Sequence, residues 1–208
     1  MESFDPIVKT IALSMGAAWA SGINLYATVF VLGILGATGN LVLPQNLEIL
    51  SDPVVLWASG FMYCAEFFAD KTPGVDSGWD AIHTFIRIPA GAMIAAGAVG
   101  DVNPALALAA GILGGGLATG SHLTKAGSRL LINTSPEPFS NWTASVFEDV
   151  VVIGGILAAL HNPVLFLALL VGFICLIVWL LPKIWRGIKL LFVKIKRFFN
   201  KEVPRQIP

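Results

Sequence analysis

Charged residues and cysteines are scarce in this sequence, and each shortage excludes a class of protein. Asp, Glu, Lys and Arg make up only 12% of the 208 residues, about half the fraction found in a soluble domain. A water-facing surface around a soluble core is therefore not predicted. The two cysteines, Cys64 and Cys175, lie in apolar segments. We expect them to be buried, unreactive thiols, with no disulfide framework and no cysteine-based metal site.

Apolar residues are abundant, at 56% of the chain, with a mean hydropathy of +0.78. A spanning helix needs about 20 apolar residues, and six stretches approach or exceed that length. They predict an all-α polytopic membrane helix bundle with about six transmembrane helices, at 7–39, 54–69, 77–100, 105–120, 142–160 and 164–181. The first stretch is interrupted near 20–24, which indicates either a surface helix followed by a spanning one or a broken helix. Ser77 and Asp80 have capping-box spacing, which predicts that the third helix begins there.

Basic residues are concentrated at the end of the chain, where 183–208 hold eight of the 13 Lys and Arg residues. This divides the chain into a transmembrane domain, 1–182, and a basic amphipathic tail, 183–208. The loops at 70–80 and 121–141 also carry Lys or Arg, whereas those at 40–53, 101–104 and 161–163 carry none. The positive-inside rule then predicts a multi-pass protein of the plasma (inner) membrane, with both termini cytoplasmic. The acidic N-terminus does not resemble a cleaved leader.

The tail has the pattern of a helix at a membrane surface, because apolar residues recur every three or four positions between basic ones. We expect it to contact anionic lipids. The candidate membrane-surface residues are Lys183, Arg186, Lys189, Lys194, Lys196 and Arg197.

Two segments of the chain echo each other, which predicts an internal repeat with units at 54–112 and 113–172. The segment 58–60 corresponds to 118–120, and 103–108 corresponds to 162–167, at offsets of 59 to 63 residues. Two helices per unit make this a parallel repeat. A rival alignment pairs 20–25 with 118–123 and makes two inverted halves of three helices each. Repeats around interrupted helices are typical of transporters and channels.

Ionisable residues cluster between apolar stretches, and several share one helix face. Asp80, His83 and Arg87 stand three and four positions apart, and so do His122, Lys125 and Arg129. Because charge near hydrocarbon is costly, such residues usually line a protein interior or a water-filled cavity. We expect them to form a cytoplasmic-side vestibule for an ion or ligand pathway. The candidate residues are Glu66, Asp70, Asp76, Asp80, His83, Arg87, His122, Lys125, Arg129, Asn133, Asn141, Glu148 and Asp149.

These residues favour a small transporter or channel for an ion or small polar solute. The carboxylates would attract a cation or proton, the histidines could titrate near physiological pH, and the basic groups would balance charge or bind an anion. A plain salt-bridge network, such as Asp80 with Arg129 or Glu148 with Arg87, is the alternative. A metal site at Asp76, Asp80 and His83 is a weaker one, and no cofactor is indicated.

The remaining hypotheses concern the class of protein and its assembly. A catalytic nucleophile with its base is not recognisable, so an enzyme is not favoured, and nothing indicates nucleic-acid binding. A lipid-headgroup-handling or lipid-modifying protein is the second hypothesis, with the polar cluster gripping a phosphate. A structural or assembly subunit of a membrane complex is the third. A homodimer is plausible, since six spans make a thin wall for a pathway.

The polar segments also resemble a known family, which is bacterial, consists of small polytopic integral membrane proteins and is catalogued only as a domain of unknown function. The resemblance covers roughly residues 10–180, and the tail lies outside it. It implies a polytopic membrane protein and supplies no reaction, substrate or site. It rests on EFFADK (66–71), PGVDS (73–77), WD (79–80), HTFIR (83–87), KAG (125–127), Arg129, SP (135–136), PFSN (138–141) and ED (148–149).

Overall fold

The computed structural model describes residues 5–100, 103–134 and 138–200, and these residues form helices and turns without a strand. This confirms the all-α prediction. Residues 135–137 of the loop predicted at 121–141, including Ser135 and Pro136, lie outside the described part. So do residues 101–102 and 201–208.

The first apolar stretch is a broken helix, as one of the two alternatives predicted. Helix α1 spans Asp5–Ile23 and α2 spans Leu25–Ala37. Between them Asn24 has an extended backbone, with φ −143° and ψ 97°. Its side-chain oxygen accepts a hydrogen bond from the Ala27 amide at 2.9 Å, which satisfies one of the free donors at the start of α2. The break is therefore built by a capping residue.

Helices α1 and α2 run in opposite senses through the bundle. Along α1, Ser14 donates to the Ala95 carbonyl of α4, and further on Ser21 lies against Gly91 of the same helix. Along α2 the contacts return towards the end of the bundle where α1 begins: Phe30 lies against Gly60, and Gly33, in the next turn, lies against Leu56. Asn24 is thus the innermost point of a helical hairpin, and both arms lead to the same end of the bundle.

A 3₁₀ helix at Gln45–Ser51 leads into α3 (Pro53–Ala69) and then α4 (Val75–Val99). Helix α4 follows Gly74, whose φ of +85° closes the turn. The prediction that this helix begins at Ser77 was wrong, because Ser77 already lies in its first turn. The cap residue is Gly74, and Asp76 lies in the first turn, where its Oδ1 accepts from the backbone amides of Gly74 and Ser77.

The last three helices are longer than the sequence pattern suggested. They are α5 (Pro104–Ile132), α6 (Pro138–His161) and α7 (Pro163–Asn200). Helix α5 continues through the three glycines at 114–116 and includes the segment 121–132, which lies beyond the span predicted at 105–120. Helix α7 joins the sixth predicted span to the tail without a break, although Pro182 lies inside it.

Among the described helices, four are long and apolar enough to cross a membrane: Val75–Val99, Pro104–Ile132, Phe139–His161 and Pro163–Lys194. The two other predicted spans fall on α1–α2 and α3, and of these helices α2 and α3 are apolar but shorter. The 17 residues of α3 extend about 26 Å at 1.5 Å per residue. The chain is therefore a membrane-embedded helix bundle.

Small residues let α1 pack closely against α4 and α5 at the centre of the bundle. A Cβ on Gly22 would collide with Ser121 Oγ and the Ala118 carbonyl of α5. Ser121 Oγ in turn donates to the Trp19 carbonyl at 2.9 Å. This close crossing joins the segments 20–25 and 118–123, and it fixes the angle at which the polar ends of α4 and α5 meet.

Two surface features complete the fold. The cysteines were expected to be buried, but Cys64 and Cys175 are both exposed, because they stand on the outward faces of α3 and α7. An apolar groove of about 400 Å³ opens between α2, α3 and α4, and its walls include Tyr26, Ala58, Met62 and Ala90.

Candidate functional site: a buried ion-pair cluster

Four carboxylates from three helices surround the ammonium group of Lys125 on α5. Lys125 Nζ lies 3.0 Å from Glu66 Oε1 and 2.7 Å from Asp70 Oδ2. It lies 3.9 Å from Asp80 Oδ1 and 3.7 Å from Glu148 Oε2. We call Glu66, Asp70, Asp80 and Glu148 the carboxylate cage. Carboxylates that are up to 82 residues apart in sequence thus meet at one amine.

Arg87 closes the cage from inside the bundle. Its Nη2 lies 2.5 Å from Glu66 Oε1, and its Nη1 lies 2.8 Å from Asp80 Oδ1. The Arg87 side chain is fully buried. A guanidinium holds its charge at any ordinary pH, so Arg87 neutralises one carboxylate of the cage permanently.

Arg129, one helical turn after Lys125, closes the cage on its other side. Its Nη2 lies 2.7 Å from Glu148 Oε2, and its Nη1 donates to the Asn141 carbonyl at 2.9 Å. The ion pairs named from sequence, Asp80 with Arg129 and Glu148 with Arg87, do not form. The arginines pair the other way round, because Arg87 lies on the same helix as Asp80, seven residues apart.

His122 is held as a neutral ring by its neighbours. Its Nδ1 lies 3.2 Å from Arg87 Nη1, and a guanidinium can only donate, so Nδ1 accepts. The proton is therefore on Nε2, which donates to Thr84 Oγ1 at 2.7 Å. The Thr84 hydroxyl in turn donates a hydrogen bond to the backbone carbonyl of Asp80. His122 thus positions Arg87 as an uncharged acceptor.

A chain of amides links the cage to the polar turns. Asn141 Nδ2 donates to Asn133 Oδ1 at 2.7 Å, and Asn133 Nδ2 donates to Asp76 Oδ1 at 2.7 Å. This chain of side chains therefore connects the start of α4, through Asp76, to the end of α5 and the start of α6, where Asn133 and Asn141 lie. They hold the site together and do not touch Lys125 in the described contacts.

His83 stands apart from the cage. Its ring stacks on Trp79 with centroids 4.4 Å apart, its Nδ1 donates to the Trp79 carbonyl, and its Nε2 lies 3.0 Å from the Tyr26 hydroxyl. The metal site suggested for Asp76, Asp80 and His83 is wrong, because these three side chains have separate partners. The described residues contain no group of three His, Cys, Asp or Glu placed to hold a metal ion.

Asp149 belongs to a second polar contact near the tip of the α1–α2 hairpin. Asn24 Nδ2 donates to Asp149 Oδ1 at 3.0 Å. Asn24 was not among the residues predicted for the site, although a polar side chain within the apolar stretch 7–39 is a signal for one. Lys71 was also missed; it donates to Ser145 Oγ at 3.2 Å, one turn from Asp149. Burial lowers the pKa of Lys71.

The cage has more acidic groups than permanent positive charges. Its four carboxylates face three basic side chains, those of Arg87, Lys125 and Arg129. One oxygen of each of three acids is buried without a hydrogen-bond partner: Glu66 Oε2, Asp70 Oδ1 and Asp80 Oδ2. The Glu148 side chain is 17% exposed and the Glu66 side chain is not exposed at all, so the cage is reached from the Glu148 side.

The predicted membrane-surface residues stand on the last turns of α7. Lys183 Nζ lies 2.9 Å from the Trp179 ring centroid, and Lys189 Nζ lies 5.3 Å from that of Trp185. Arg186, Lys194 and Lys196 are exposed, and the Arg197 side chain lies outside the described part. Residues of α7 also pack on the end of α5, where Ile184 meets Gly127 and Gly187 meets Leu131. The tail therefore stands at the same end of the bundle as the cage.

A family comparison covers most of the chain. The model of a domain of unknown function (DUF4126) matches residues 11–183. The chain belongs to this family. The match contains every residue of the cage and stops at the start of the basic tail, as the resemblance of the polar segments implied. The family description states no activity. No curated protein and no solved structure matches the chain.

Proposed function

We propose that the protein is a small membrane transporter or channel for a monovalent cation or the proton, and that the carboxylate cage is the transit site. The observation that supports this is the buried surplus of carboxylate over permanent positive charge. A salt-bridge network needs only matched pairs, whereas this cluster holds one acid more than its bases and three oxygens without partners.

The interrupted α1–α2 hairpin supports the same proposal. Broken helices whose free ends meet a polar site near the bilayer centre are typical of secondary transporters. Here the start of α2, with its positive dipole end, meets Asp149 through Asn24 at 3.0 Å. The hairpin tip is a point where backbone polarity is available inside an apolar bundle.

Ion flux in proteoliposomes tests the proposal. We expect the wild type to carry a proton, ammonium or alkali-cation current, and Asp70→Asn and Glu148→Gln to reduce it to background. Glu48→Gln is the matched control, because Glu48 is exposed and outside the cage; this variant should retain wild-type flux. Flux that is equal in all four proteins, or absent for every cation in folded wild type, would refute the proposal.

The orientation in the membrane is part of the proposal. The turn with Lys71, the ends of α5 and α6, and the basic tail all stand at one end of the bundle, which the positive-inside rule assigns to the cytoplasm of a plasma membrane. The contacts of α1 favour the opposite end for residue 5, against the expectation that both termini are cytoplasmic. A cysteine at Lys9 in a cysteine-free chain should react with an impermeant reagent from outside only.

The lipid-handling hypothesis is the second candidate, and the groove between α2, α3 and α4 favours it. The groove opens among exposed apolar side chains such as Val54 and Met93, so in a bilayer a lipid chain has access to it. Tyr26 joins the groove to His83. A photoreactive fatty acid should label α3 and α4 in wild type and lose that labelling in Ala58→Trp. Unchanged labelling in Ala58→Trp would exclude the groove as its site.

Assembly is a further proposal carried from the sequence. A homodimer, or a structural role in a membrane complex, predicts that the purified protein is larger than one 22.1 kDa chain. Mass measurement in lipid nanodiscs distinguishes one chain from two. A monomer with cation flux would agree with the transport proposal and would refute the homodimer.

A further inference from the structure

The Lys125 ammonium is itself a cation bound by four carboxylates. Its nitrogen lies within 4 Å of an oxygen of Glu66, Asp70, Asp80 and Glu148, contributed by three other helices. An ammonium has only three protons to donate, so four acids exceed what one lysine needs. The arrangement is that of a cation-binding site in which the cation is tethered to the chain.

We propose that the carboxylate cage is a binding site for a free monovalent cation of ammonium size, and that Lys125 is its built-in competitor. A free cation enters as the flexible lysine stem withdraws, and the returning ammonium displaces it. This inference deepens the proposed function and rests on it, since it names the cation class and the residue that controls occupancy.

The dimensions of the cage favour this class of cation. The two nearest oxygens lie 2.7 and 3.0 Å from the nitrogen, and the other two lie 3.7 and 3.9 Å away. Calcium and magnesium need oxygens at about 2.0–2.6 Å. A free ammonium ion fits the observed spacing, because the Lys125 ammonium already occupies it.

The charges and free oxygens of the cage favour occupancy. Removing the Lys125 charge leaves four carboxylates with Arg87 and Arg129, and one free monovalent cation restores the native charge. Glu66 Oε2, Asp70 Oδ1 and Asp80 Oδ2 are buried without partners, so each of these acids keeps a second oxygen that makes no hydrogen bond. A carboxylate left unpaired in this buried site is strongly destabilising. A cation that binds there should therefore raise the unfolding temperature, which can be measured.

Thermal unfolding of the purified full-length chain tests the inference. Lys125→Met should unfold at a lower temperature than wild type in choline chloride and regain stability in ammonium chloride. At a cation concentration ten times the Kd, the midpoint should rise by about 3–6 °C for a chain of this size. Wild type should show no such difference, because its own ammonium fills the cage.

The double variant Lys125→Met/Glu66→Gln is the matched control. It removes one acid with the base, so it should fold in choline and be indifferent to ammonium. A Lys125→Met protein that is equally unstable in every salt, or that responds to calcium and not to ammonium, would overturn the inference. So would failure of both variants to fold in any salt. Absence of flux in wild type would refute transport, and cation binding by Lys125→Met would still stand.

Discussion

At the residue scale, the charged side chains of the cage stabilise the fold as a complete set more than as separate pairs. A buried ion pair gains little over apolar packing, but the loss of one partner leaves a charge without compensation in a medium of low dielectric constant. Arg87 and Arg129 are the residues on which this depends, because each bridges two elements and neither can lose its charge.

Replacement of Arg87 by Met should lower the free energy of unfolding by about 3–5 kcal/mol, the usual cost of breaking a buried pair from one side. The variant leaves Glu66 and Asp80 without their arginine and His122 without its donor. Equilibrium unfolding in mixed detergent measures the difference. Arg186→Met, at an exposed position of α7, should change stability by less than 1 kcal/mol, roughly the value of a surface charge. Equal losses in both variants would contradict the role of the cage.

Lys71 should titrate at a lower pH than a lysine in a model peptide. Its burial lowers its pKa from the model-peptide value of 10.5. The folded chain then binds fewer protons than the unfolded chain between the lowered pKa and 10.5, so the contribution of Lys71 to stability rises with pH in that window. NMR titration of reductively methylated protein measures the Lys71 midpoint, with the unfolded chain as the reference. A Lys71 midpoint in the folded chain at or above that of the unfolded chain would show that burial does not act on it.

At the element scale, the α1–α2 hairpin is the feature that the sequence indicated only in part. Gly22 and Asn24 predicted a break near 20–24, because Gly weakens a helix and Asn caps one. The reversal of α2 was not predictable, since it depends on the contacts of Phe30 with α3 and of Tyr26 with His83. Long-range contacts of this kind leave no local pattern.

Gly22→Ala should destabilise the bundle by about 1–3 kcal/mol, the usual cost of overpacking. The added methyl group would collide with Ser121 Oγ and the Ala118 carbonyl at the α1–α5 crossing, and backbone atoms cannot yield as a side chain tip can. Unfolding in detergent measures the change.

Gly116→Ala is the matched control for that variant. An added Cβ on Gly116 meets nothing within 4 Å, and Ala favours a helix interior over Gly by up to about 1 kcal/mol. We expect a neutral or stabilised protein. If Gly22→Ala behaved in the same way, the close crossing would not govern the packing of α1.

The predicted repeat remains a prediction, and the cage adds an observation to it. Glu66 and Asp70 end α3, while Lys125 and Arg129, each 59 positions later, end α5. The corresponding positions thus carry opposite charges, and the cage consists of pairs between and within the units. A duplicated helix pair with inverted charges would account for both the spacing and the pairing.

At the scale of the whole molecule, polarity is gathered at one end of the bundle. The cage, the turn with Lys71 and the basic tail all lie there, while α7 continues from its spanning part into the tail as one helix of 38 residues. At 1.5 Å per residue it extends about 57 Å, well beyond a hydrocarbon layer of about 30 Å. Its last turns therefore reach the headgroups or leave the membrane.

Neutralising the tail should weaken its contact with anionic lipid. In nanodiscs with phosphatidylserine, residues 185–196 of wild type should exchange amide hydrogens more slowly than in zwitterionic nanodiscs. Lys189→Gln with Lys194→Gln and Lys196→Gln should remove that difference, because each basic residue near such a surface contributes about 1 kcal/mol of attraction. Slow exchange that is independent of lipid charge would indicate that packing on α5, and not lipid, orders the tail.

The sequence by itself determined that this chain is an all-α membrane protein, because hydropathy and helix periodicity are local properties that the bilayer enforces on any chain. It also singled out the four cage acids and Arg87, Lys125 and Arg129, because charges between apolar stretches are costly unless they meet. Only the tertiary structure decided which acid faces which base and that Lys125 meets all four. It also decided that Asn24 turns a helix back towards the side it came from. Those outcomes depend on distances between helices up to 125 residues apart in sequence, which no local pattern encodes.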